Sequence, residues 1–149
     1  MSTYTETLSE KLNDLLEKTY DAEKGYKKAS DNTDNPYLKS FFVKKSAERH
    51  MFGLELKSEI TNLGQKWEKD GSVTAALHRT WMDLKSLFSS DDEEAMLEEA
   101  IRGEKASVQE YREVLSETNL APSTATILTQ QMNQIQADLN QVKRLEDLK

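Results

Sequence analysis

Apolar residues recur every three or four positions along most of this chain, which predicts long amphipathic helices. From about residue 6 to 30, Leu8, Leu12, Leu16, Thr19, Glu23, Tyr26 and Ser30 share one stripe, widened by Leu15, Tyr20 and Ala22. Thr3 and Thr5 are its candidate N-caps. The polar run Asp31-Asn32-Thr33-Asp34-Asn35 stops the segment, since such residues favour turns and caps. Asn35-Pro36 then reads as an N-cap followed by a first helical residue. The second helix is expected to reach about Leu63, with Gly64 just past its end. Its stripe holds Leu38, Phe41, Phe42, Lys45, Glu48, Phe52, Leu56, Ile60 and Leu63. The short loop joining these two helices predicts an antiparallel pair.

A polar linker from Gln65 to Ser72 precedes a shorter amphipathic segment, roughly Val73 to Phe88. Ser89-Ser90-Asp91-Asp92 caps a third long helix reaching about Glu117, with Leu97, Ile101, Glu104, Val108, Tyr111 and Leu115 in line. Gly103 inside it suggests a close helix contact. After a turn containing Pro122, a last helix is expected from about Thr124 to Leu148, on a stripe of Leu128, Gln131/Met132, Ile135, Leu139, Val142 and Leu145. No segment alternates as a strand would. The expected fold is all-α: one domain over residues 1–149, an antiparallel four-helix bundle with an extra short helix between the second and third long helices.

Composition narrows the function. The 149 residues carry a net charge of −7, which opposes binding to nucleic-acid phosphates or anionic membranes. No apolar run approaches a membrane span, and the N-terminus lacks signal-peptide features. Cysteine is absent, which excludes thiolate chemistry and leaves a bacterial-type cytoplasm as the default location. No Gly-rich phosphate loop or Ser–His–acid signature occurs.

Glu23, Glu48 and Glu104 carry the candidate chemistry, because each falls in the apolar stripe of a different long helix. Buried carboxylates are costly unless paired, protonated or bound to a cation. Three converging in a bundle core could take iron or manganese. The competing expectation is that they snorkel, or pair with Lys45 or Arg49. No Glu-x-x-His motif occurs: Met51 follows Glu48 by three, and the fourth helix offers only Gln131, Gln134 and Asp138 near its inner face. His50 is out of phase with Glu48 and reads as a surface or interface residue; His78 reads as structural. Trp81, and less clearly Trp67, reads as sealing an open flank of the bundle.

The stretches Tyr20-Asp21-Ala22-Glu23-Lys24-Gly25-Tyr26, Ala76-Leu77-His78-Arg79-Thr80-Trp81-Met82-Asp83-Leu84-Lys85 and Arg102-Gly103-Glu104-Lys105, with the order of elements, carry a resemblance. Over about Leu8 to Leu148 the chain resembles a bacterial family of ferritin-like four-helix-bundle proteins whose domain has no assigned function. The resemblance implies a ferritin-like fold, a cytoplasmic location and stress-related expression. It also places Glu23, Glu48 and Glu104 at the metal-carboxylate positions, while Met51 and Ala137 stand where histidine ligands would be. The expectation is a non-enzymatic stress-related or interaction protein with a degenerate metal site and no cofactor. The alternative is an iron or manganese carboxylate protein with oxidase-like or storage-related activity. A homodimer or an unidentified protein partner is left open.

Overall fold

The computed structural model describes residues 3–66, 93–117 and 120–148, and these are helical with short connections. Helix α1 spans Thr3–Asp31 and α2 spans Pro36–Asn62. Helix α3 spans Glu93–Leu115 and α4 spans Pro122–Gln141, followed by a 3₁₀ turn at Leu145–Leu148. The expected short helix between about Val73 and Phe88, with His78, Trp67 and Trp81, lies outside the described residues.

The punctuation residues act as their chemistry dictates. Asn35 Oδ1 accepts the Tyr37 and Leu38 amides at 2.9 and 3.1 Å, capping α2 in front of Pro36. At the other end Gly64 takes φ 76°, a left-handed conformation that glycine adopts without Cβ strain. The Gln65 amide then returns to the Ile60 carbonyl and the Gly64 amide to that of Thr61, closing a Schellman turn. Thr3 and Thr5 fall inside α1 rather than ahead of it.

The last helix is shorter than its hydrophobic spacing suggests. It stops at Gln141, and Val142 turns extended at φ −112°, ψ 106°. Asp147 causes this locally: its carboxylate accepts the Lys143 and Arg144 amides at 2.9 and 3.2 Å, which a continuing helix would have used. Val142 and Leu148 then pack against the end of the bundle.

Contacts between helices fix their directions. Tyr26 meets Phe42 while Glu23 meets His50, so α1 and α2 are antiparallel. Lys11–Glu117, Lys18–Glu110 and Tyr26–Glu104 make α1 and α3 antiparallel. Lys45–Asp138, Gln131–Phe52 and Thr124–Glu59 do the same for α2 and α4. Helices α2 and α3 therefore run parallel. At Gly53 a Cβ would lie 3.4 Å from the Tyr20 ring, so α1 and α2 meet there at ordinary contact distance.

Two apolar clusters fill the interior. One gathers Leu8, Leu12, Leu16, Phe52, Leu56 and Leu128 with their neighbours; the other gathers Ala22, Tyr26, Leu38, Phe42 and Leu97. Between them lies a layer of charge.

Candidate functional site

Residues seven apart on a helix return to nearly the same face, drifting only about 20°. That repeat sets polar side chains at successive levels of this core: Thr124, Gln131 and Asp138 on α4, and Lys45 and Glu59 on α2. Arg49, one turn beyond Lys45, points inward with it and is only 2% exposed.

Lys45 is the hub of the charged level. Its ammonium lies 2.7 Å from Glu48, 2.9 Å from Glu104 Oε2 and 2.8 Å from Asp138. Arg49 reaches across the bundle, donating from Nη2 to Glu104 Oε1 at 2.5 Å and from Nη1 to Glu48 at 2.9 Å. The Tyr26 hydroxyl donates to the same Glu104 oxygen at 2.5 Å, and Arg49 Nη2 also faces Ser107 Oγ at 3.5 Å. Aromatic rings close the top and bottom, with the guanidinium carbon 5.9 Å from the Tyr26 centroid and 5.7 Å from that of Phe52. All four helices contribute.

These contacts fix the protonation states. Burial opposes the charge of Lys45, but Glu104 first, then Glu48 and Asp138, hold its pKa above the ordinary value. Burial likewise opposes Arg49, and Glu104 again prevails, raising its pKa further. Tyr26 is pushed well above the ordinary phenol value by burial and by Glu104, so it stays a proton donor. Glu48 is raised by burial, only partly offset by Lys45 and Arg49. Neither Lys45 nor Tyr26 is poised to exchange a proton near neutral pH.

The three carboxylates singled out from sequence separate into two places. Glu48 and Glu104 meet around Lys45 and Arg49. Glu23 lies on the α1–α2 flank, where its carboxylate is 3.2 Å from His50 Nδ1 on the protein surface. Asp138 takes the position in the charged level that Glu23 was expected to fill. Gln131 lies one level along, accepting the Tyr111 hydroxyl at 2.5 Å and donating to the Phe52 carbonyl and Glu55; Gln134 is exposed. Among the described residues, no group of three or more His, Asp or Glu side chains is placed to hold a metal ion.

Sequence reasoning missed two further features. Glu59 is buried and accepts the Ser123 hydroxyl at 2.9 Å and that of Thr124. It serves the start of α4, where Ala121 provides no side-chain cap. Its signal was its place two turns after Phe52, in line with Lys45. Asp21 is buried with neither carboxylate oxygen hydrogen-bonded. Burial, with Glu17 adding to it, raises its pKa from an ordinary 3.8 to about 7.

Residues 7–117 match the model of a family described as a domain of unknown function (DUF2383), and the chain belongs to that family. The match ends before α4, so it does not include Asp138 or Gln131. No curated protein matches the chain at a significant level. No described helix is long and apolar enough to cross a membrane.

Proposed function

We propose that this protein is a non-enzymatic, ferritin-like helical bundle whose internal cation position is filled by its own side chains. The single observation behind this is the Lys45 ammonium, within 2.7–2.9 Å of Glu48, Glu104 and Asp138. A divalent ion drawn to those carboxylates would have to displace a charged lysine that they hold protonated. It would also have to take Glu104 from Arg49 and Tyr26. The ferritin-like assignment draws support from the parallel directions of α2 and α3, successive described helices that an up-down-up-down bundle would run antiparallel. The role that fits such a core is structural: a cytoplasmic, stress-related or interaction protein that works through its surface.

The competing reading, an iron or manganese protein with oxidase-like or storage activity, would use Glu48 and Glu104, with Asp138 in place of the Glu23 expected from sequence. It requires Lys45 to leave the cluster. Elemental analysis of protein purified from iron- and manganese-supplemented culture separates the two, with Glu104→Ala alongside. The proposal expects substoichiometric metal in both proteins. Stoichiometric metal in the wild type, lost in Glu104→Ala, would overturn it.

A further inference from the structure

The outer face of α2 carries a long strip with no charged residue. Ser40, Val43, Ala47, Met51, Leu54 and Ser58 follow one another at intervals of three and four, and all are exposed. They span about 27 Å at the helical rise of 1.5 Å per residue. Val43 and Met51 are 53% and 55% exposed. In a chain whose residues are 32% charged, a water-facing helix strip of this length without charge needs a partner to explain it.

The strip is arranged symmetrically. The pairs Ser40 and Ser58, Ala47 and Met51, Val43 and Leu54, and Lys44 and Glu55 all centre on position 49 or next to it. A two-fold axis at that point lays the same face of a second copy across this one in antiparallel fashion. Met51 then lies over Ala47 twice, Val43 meets Leu54, and the small Ser40 and Ser58 meet at the ends. Lys44 and Glu55 sit on the same flank of the strip, one toward each end, so the axis brings each lysine to the other copy's glutamate. Glu55 holds Gln131 through Oε1 and is still exposed. Beside the strip a groove of about 560 Å³, lined by Val43, Ala47, His50 and Met51 with Glu23 and Lys27 of α1, offers room for the incoming methionine. A surface complementary to itself in both size and charge is what an isologous interface requires.

From this we infer that α2 is the contact face of a two-fold homodimer. This inference is independent of the closed charge cluster, since no residue of the strip belongs to that cluster. Sedimentation equilibrium on the full chain tests it, with metal analysis reporting separately on the core. Wild type is expected at twice the chain mass at micromolar concentration. Ala47→Arg, with unchanged helical circular dichroism, is expected at the chain mass. Lys44→Glu alone should weaken association at least several-fold, and Lys44→Glu with Glu55→Lys should recover it. A monomeric wild type would overturn the proposal, as would a dimer indifferent to Ala47→Arg. Failure of the double reversal to recover the loss would overturn the antiparallel arrangement.

Discussion

On its inner face α2 buries Lys45, Arg49 and Glu59, while its outer face exposes Val43, Met51 and Leu54. The usual division of residue types is reversed over the middle of one helix. Average hydrophobicity therefore does not decide which way this helix turns. What decides it is where partners are. Inward, Glu104, Asp138, Ser123 and Thr124 meet the charges of α2 at hydrogen-bond distance, and Tyr26 bonds Glu104 in turn. A buried charge loses several kcal/mol of hydration and is tolerated only when such contacts replace it. Outward, Val43 or Met51 gives up little by facing water, because burying such a side chain is worth only about 1.5–3 kcal/mol.

The largest effect should come from breaking the inner face. Glu104→Ala leaves Arg49 without its closest carboxylate and takes one of three from Lys45. Removing one member of a buried pair typically costs about 3–5 kcal/mol. At roughly 2–4 °C per kcal/mol for a chain of this size, Tm should fall by about 10 °C or more. Thermal melts followed by circular dichroism would measure it. A double-mutant cycle with Arg49→Met should return a coupling on the order of 1–3 kcal/mol. Additive losses would show that the two side chains do not depend on each other.

Asp21 sharpens the contrast, since it is buried like Glu104 but has no hydrogen-bond partner. Its folded pKa, about 7, lies above the ordinary 3.8, so the native state holds the proton more tightly than the unfolded chain does. The stability this group contributes is fully present below about pH 3.8 and is lost as pH rises through about 7. Asp21→Asn should accordingly stabilise the protein at pH 8, by about 1 kcal/mol on the scale of buried polar groups. The gain should vanish below about pH 4. A gain that persists in acid would mean that charge is not its origin.

Most of the architecture was legible because it is set locally. Asn35-Pro36 and Gly64 mark the ends of α2 through backbone chemistry that needs no distant residue. The end of α4 was not legible in the same way, because Asp147 takes amides from residues that still carry helical spacing. Within the site, Lys45 showed itself by lying in an apolar stripe, and Lys45 or Arg49 was one expected partner for the stripe glutamates. Glu23 misled because the buried face shifts along α1, from the side of Leu12 and Leu16 to that of Ala22 and Ala29. Ala22, one residue earlier, faces the core, and Glu23 is carried round to the flank. The link from Tyr26 to Glu104 spans 78 residues, and nothing in local spacing announces it.

A smaller effect is expected one level along the core, where Tyr111 donates to Gln131. Burial raises the Tyr111 pKa, so the group is a neutral donor at any physiological pH. Tyr111→Phe leaves Gln131 Oε1 short of a donor but strands no charge. The loss should be about 1 kcal/mol, well below that of Glu104→Ala. Equal losses at the two levels would mean that packing, not charge pairing, dominates the centre of the bundle.

The smallest effect belongs to the outer face. Met51→Ser removes no core contact, and exposed substitutions of this kind usually change stability by less than about 0.5 kcal/mol. In dilute solution its Tm should match that of the wild type. At high concentration the two should separate, because a dimer that forms only from folded chains stabilises them by mass action. Wild-type Tm should therefore climb as protein concentration rises, while that of Met51→Ser stays level. Parallel, concentration-independent curves would remove the outer strip from the comparison. It would then be an apolar surface that the helix tolerates, and the buried charges of the inner face alone would distinguish α2.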